Sequence, residues 1–127
     1  MSPVQVSETP EEHAGLSPER VAELLESGEI DLIDVREEDE WEAGHIPGAR
    51  HIPLNDLTSR SESIDREKPV VFYCRGGGRS GMAAEAFRNA GYDAEKLAGG
   101  MVIWAESKNP IEPEDGTVID HAGFPPE

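Results

Sequence analysis

The sequence predicts an α/β domain, with a parallel sheet carrying helices on both faces. Three observations point there. Short β-branched or apolar runs at 30–35 and 70–73 alternate with segments patterned as helices and closed by glycine. The run Val70-Val71-Phe72-Tyr73 has no polar alternation, as suits a central strand covered on both sides. Strand–helix alternation also calls for crossover connections, which join parallel strands. The length of 127 residues fits one domain, and surface scaling buries about two-thirds of the unfolded chain's area.

The elements follow in order. Ser17-Pro18 supplies an N-cap oxygen and a fixed φ at the first helical position. Val21, Leu24 and Leu25 then share a face, and Gly28 ends the helix. Residues 30–35 read as a strand and 37–43 as a short acidic helix closed by Gly44. His45-Ile46-Pro47-Gly48-Ala49 is a turn, punctuated by Pro and Gly. A brief strand at 49–52 and a helical turn at 54–59 precede the central strand at 70–73. A glycine-rich loop, 74–79, leads to a helix capped by Ser80, with Met82, Ala86, Phe87 and Ala90 as its apolar stripe. A strand at 94–97 and a closing helix at 102–108 complete the domain. Four strands are read here, and a fifth has room before Ser17.

Charge divides the chain into three parts. The 27 acids against 11 Lys and Arg give −16. The ends, with Glu8, Glu11 and Glu12 on one side and Glu112, Glu114, Asp115, Asp120 and Glu127 on the other, hold no Lys or Arg. Residues 1–15 are therefore expected as an acidic extension, 16–108 as the working domain, and 109–127 as a Pro-rich acidic tail, with an extended piece possible at 117–119. Broad nucleic-acid binding is excluded, because no basic stripe exists to displace counterions. The acidity reads as solubility or as a mark of a salty cytoplasm. No apolar stretch approaches the ~20 residues that cross a bilayer. With no secretory pattern at the start, a cytoplasmic protein is expected. The single cysteine excludes an internal disulfide framework, and no metal ligand set or cofactor is expected.

Chemistry concentrates in Cys74-Arg75-Gly76-Gly77-Gly78-Arg79-Ser80. A buried strand delivers Cys74 to its C-terminal end, where open parallel sheets place their sites. Three glycines let the backbone curl so that amides converge as an anion-binding nest. The following helix turns its positive end to the same point, and Arg75 and Arg79 add cationic charge. Such surroundings favour a thiolate. Cys74 is the predicted nucleophile, partly exposed at the bottom of a shallow bowl. The stretch 76–81 also matches G-x-G-x-x-G, but too few residues follow it for a dinucleotide fold, and no Lys-Ser or Lys-Thr completes a Walker loop.

These residues, in this order, resemble the rhodanese family of sulfurtransferases. Asp34-Val35-Arg36-Glu37, Glu40-Trp41 and Gly44-His45-Ile46-Pro47-Gly48-Ala49 resemble its first signature, the Cys74 loop its active site, and Leu97-Ala98-Gly99-Gly100 with Trp104 its closing signature. The resemblance implies a rhodanese-like three-layer domain whose central parallel sheet has about five strands. It implies that Cys74 takes a sulfane sulfur from thiosulfate or a persulfide donor and passes it to cyanide, a thiol or a sulfur-carrier protein. Residues 75–80 (Arg75, Gly76, Gly77, Gly78, Arg79 and Ser80) would hold the substrate. Asp34 and Arg36 read as a buried ion pair, and His45 as a hydrogen-bonded structural residue. Trp41 and Trp104 read as core anchors, and His13, His51 and His121 as incidental. Only four residues separate Cys74 from Arg79, one fewer than in related phosphatases and arsenate reductases, so the smaller ring favours sulfur over a tetrahedral oxyanion. A non-enzymatic interaction module of the same family is the alternative.

Overall fold

The computed structural model describes residues 15–119. Helix α1, Pro18–Glu26, starts at Ser17, whose hydroxyl accepts from the Arg20 amide at 3.1 Å. Strand β1 (Asp31–Asp34), helix α2 (Glu38–Ala43) and strand β2 (Arg50–His51) follow. Two 3-10 turns, Leu54–Asp56 and Ser61–Ser63, lead to strand β3 (Val70–Tyr73). Helix α3 (Gly78–Asn89), strand β4 (Ala94–Lys96) and helix α4 (Gly100–Glu106) complete the order. No helix among the described residues is long and apolar enough to cross a membrane.

All pairings in the sheet are parallel, in the order β2-β1-β3-β4. The two faces of β3 explain its unbroken apolar sequence. Val70, Phe72 and Cys74 pack with Ala83, Ala84 and Phe87 of α3. Val71 and Tyr73 pack with Val21 and Leu24 of α1 and with Met101 and Trp104 of α4. The result is three layers, as the sequence predicts, with four strands rather than about five. The fifth place, beside β4, is filled by one residue. Leu16 bridges Leu97, its amide donating to Lys96 O and its carbonyl accepting from Ala98 N, both at 2.8 Å. Ser17 then turns the chain into α1, so no longer ladder forms.

Residues 109–119, expected as a solvated tail, lie against the domain. Glu112 and His45 exchange backbone hydrogen bonds at 2.8 and 2.9 Å, and Thr117 N donates to Ala43 O at 2.8 Å. Ile111 and Val118 pack on the α1–α4 core. Residues 117–119 form no strand. Glycine allows the close approach: a Cβ on Gly44 would fall 2.6 Å from Thr117 O, and one on Gly116 2.8 Å from Ala43 O. Glu8, Glu11, Glu12, His13, Asp120, His121 and Glu127 lie outside the described residues.

Candidate active site

Cys74 follows the last residue of β3, at the carboxyl end of the sheet. Its sulfur receives the Gly77 amide at 3.1 Å and the Ser80 amide at 3.4 Å, with the Ser80 hydroxyl at 3.4 Å. The cysteine is 0% exposed. This corrects the expectation of a partly exposed thiol in a bowl: the side chain lies with Val70 and Phe72 on the buried face toward α3, and loop amides close on its sulfur.

The start of α3 is also corrected. Gly77, not Ser80, is the cap, at φ +125°, a left-handed conformation that L side chains rarely adopt. Ser80 lies in the first turn, and its hydroxyl donates back to Gly77 O at 3.2 Å. The helix therefore begins three residues earlier and brings the Ser80 amide onto the sulfur.

The loop carbonyls are tied down from the other side. Met101 N donates to Cys74 O at 2.9 Å and Val102 N to Arg75 O at 3.0 Å. This contact needs Gly100, where a Cβ would stand 2.5 Å from both carbonyl oxygens.

Arg79 makes a two-pronged pair with Glu40, Nη1 to Oε1 at 2.8 Å and Nη2 to Oε2 at 3.0 Å. Glu40 is 0% exposed. Burial raises the Glu40 carboxyl, but hydrogen bonds from Arg79 and the Glu37 amide, with the Arg79 charge, outweigh it and leave the group below the usual carboxylate range. From the sequence Glu40 enters only as part of the Glu40-Trp41 signature, with no site role. It is one of five carboxylates at 37–42, and only its N3 place, where a capping-box Glu reaches back to the N-cap amide, distinguishes it.

Asp34 and Arg36 form a fully buried pair. Arg36 Nε and Nη2 donate to Asp34 at 3.0 and 2.7 Å, and Nη2 also reaches Gly44 O at 2.7 Å. Burial lowers the guanidinium pKa, yet the hydrogen bonds and charge of Asp34 carry it above its ordinary value. Arg36 Nη1 is buried with no hydrogen-bond partner among the described residues. The pair braces the turn after β1, and the Tyr73 hydroxyl accepts from Ile46 N at 3.0 Å beside it. Burial, and then the Asp34 charge, push the Tyr73 phenol well above its usual pKa.

His45 Nδ1 lies 2.7 Å from Trp41 O, and its ring stacks on Trp41 at 3.6 Å. Trp104 is a core residue, but Trp41 is only half-buried. His51, read as incidental, stacks on Trp41 at 4.9 Å and bonds Arg36 O through Nε2 at 2.8 Å. These rings tie α2 to the turn after β1 and to β2.

Comparison with known proteins gives this geometry a family. The model of the rhodanese-like domain matches residues 17–107. The chain belongs to that family. An HTH-type transcriptional regulator of Mycobacterium tuberculosis is 39% identical over 106 residues, covering 79% of this chain and 46% of the regulator. A sulfurtransferase of Allochromatium vinosum is 33% identical over 94 residues, covering 73% of this chain and 88% of the relative. The crystal structure of a rhodanese-related protein from Thermoplasma volcanium superposes with a TM-score of 0.71 at 26% identity, over 76% of this chain and 95% of that one. Of several curated relatives the rhodanese-like chain spans only between 25% and 59% of the length.

Proposed function

We propose that this rhodanese-like domain is a sulfurtransferase that carries its sulfur as a persulfide on Cys74. The Cys74 thiolate attacks the outer sulfur of thiosulfate or of a persulfide. A new S–S bond forms, the old one breaks, and sulfite or a thiolate leaves with the electron pair. Cyanide, a thiol or the terminus of a sulfur-carrier protein then attacks the outer sulfur and releases Cys74 as thiolate. Two half-reactions through one covalent state give ping-pong kinetics.

The observation that carries the reading is the pair of backbone donors on one sulfur, the Gly77 amide and the Ser80 amide. Preorganised donors stabilise negative charge without reorganising when it forms, and both the thiolate and the persulfide are anions. The enclosed sulfur and the six-residue ring, 74–79, suit addition of one sulfur atom better than of a whole phosphoryl group. Family membership and the A. vinosum relative's name agree with this.

The test is intact mass after incubation with thiosulfate. The reading expects a gain of one sulfur atom, removed by cyanide and absent in Cys74→Ala. A wild-type protein that stays at its unmodified mass with both thiosulfate and a low-molecular persulfide refutes it. Robust hydrolysis of an aryl phosphate would refute the choice of sulfur over phosphorus.

A further inference from the structure

We propose that Lys96 is a specificity-determining residue of the Cys74 site: its ammonium, set beside Gly77 and Gly81 at the start of α3, selects anionic sulfur donors. The inference rests on the sulfurtransferase reading above. Lys96 ends β4, paired with Phe72 of β3 two residues before Cys74. Glycine backbone surrounds its side chain. A Cβ on Gly15 would meet Lys96 Cγ at 2.8 Å, and one on Gly81 would lie 3.7 Å from Cδ. Cβ atoms on Gly77 and on Gly81 would each lie 3.5 Å from Nζ. The stem thus runs past bare backbone to set the ammonium beside Gly77, the residue whose amide donates to the Cys74 sulfur at 3.1 Å. These distances place the charge within about 10 Å of that sulfur, one Debye length at 0.1 M salt.

The electrostatics of this placement are unusual. A cation at a helix N-terminus faces the positive end of the dipole and is disfavoured there. An ion pair would offset that, yet Lys96 has none among the described residues. Two neighbouring charged groups are engaged elsewhere. Glu95 pairs with Arg88 at 3.5 Å, and Arg79 is neutralised by Glu40. Glu85 lines the same shallow groove of about 250 Å³ without pairing to Lys96. An approaching anion supplies such a partner, and on a protein of net charge −16 a local cation is what lets a small dianion come close.

The experiment compares two reagents that present the same chemistry at sulfur with different charge. Thiosulfate is a dianion that loses sulfite to the Cys74 thiolate. Methyl methanethiosulfonate is neutral: Cys74 takes its methylthio group in a new disulfide bond and methanesulfinate leaves. The quotient of the two second-order rates cancels changes in thiolate fraction or loop order that affect both alike. At low salt Lys96→Gln is expected to lower that quotient roughly five- to tenfold, Lys96→Arg to restore it within about twofold, and high salt to close the gap by screening. A Lys96→Gln quotient within twofold of wild type at low salt overturns the role of Lys96 and leaves the sulfurtransferase reading standing. Labelling by the neutral reagent with no loading by thiosulfate or a low-molecular persulfide in wild type refutes that reading, and this inference with it.

Discussion

Replacing Glu40 by Gln separates the charge of the Arg79 pair from its shape. Gln retains one oxygen for Arg79 and for the Glu37 amide, which Glu40 Oε1 accepts at 3.0 Å, so the α2 cap survives. The Arg79 guanidinium then faces an amide, although its side chain is only 8% exposed and that of Glu40 is 0% exposed. Breaking one side of a buried pair costs ~3–5 kcal/mol. The retained oxygen puts this case near the lower end, about 3 kcal/mol. For a domain near 100 residues that is a Tm fall of roughly 12–24 °C, from a total stability of ~5–15 kcal/mol. Arg79 adjoins Ser80, so thiosulfate loading should also slow, on the order of tenfold. Urea unfolding followed by circular dichroism gives the first number and mass-resolved loading the second. The sign with pH is fixed. The folded Glu40 carboxyl titrates below its unfolded value. Its contribution is therefore full above ~4.3, the unfolded pKa, and is lost as pH falls through the folded one. The stability gap between wild type and Glu40→Gln must shrink on acidification below about pH 4. A variant within about 0.5 kcal/mol of wild type at pH 7, or a gap that widens in acid, refutes the reasoning.

Two further perturbations follow from the same geometry. Tyr73→Phe strips the acceptor from the Ile46 amide and should cost ~1–3 kcal/mol by chemical denaturation; no change would mean that this amide finds another partner. The raised Tyr73 phenol contributes stability below the unfolded value, ~10, which is lost only as pH rises through the folded one. Ultraviolet titration should therefore find one tyrosine that ionises only when the chain unfolds, and smooth titration of both would be the contrary result. Gly100→Ala, at φ +60° against two carbonyls, should cost ~2–4 kcal/mol, while Gly28→Ala, at φ +76° with nothing within 4 Å, should cost ~1–2 kcal/mol. Equal losses in the two would refute the crowding argument.

What the sequence discloses is what local chemistry determines. The unbroken run at 70–73 announces a strand with two buried faces, and the three glycines after it announce a curled loop. Asp34 and Arg36 are legible as a pair because so short a separation at a strand end lets the guanidinium turn back on the carboxylate. What stays hidden depends on meetings between distant segments. Its N3 place is the one local mark that sets Glu40 apart from its acidic neighbours, and its pairing is created by Arg79, far along the chain. Burial of Cys74 is not legible because the loop's polarity hides the α3-facing register that Cys74 shares with Val70 and Phe72. The packing of residues 109–119 depends on Gly44 and Gly116 meeting backbone to backbone, a coincidence that neither glycine reveals alone.

One consequence of the closing glycines reaches Cys74 without touching its sulfur. In a trans peptide the C=O and the next N–H point in opposite directions. The carbonyls of Cys74 and Arg75 are held by the Met101 and Val102 amides of α4. The amides of Arg75 and Gly76 must therefore point away from α4. Since α4 packs on the face opposite the one that buries Cys74, they turn toward the side where the sulfur lies. Gly100 thus acts on the inward set of the loop amides, because any Cβ there pushes both carbonyls off α4 and releases the two peptides to rotate. Gly100→Ala should accordingly slow thiosulfate loading by more than its loss of stability explains, at temperatures where the variant is still fully folded. A folded Gly100→Ala protein that loads at the wild-type rate would show that the loop holds its amides inward without α4.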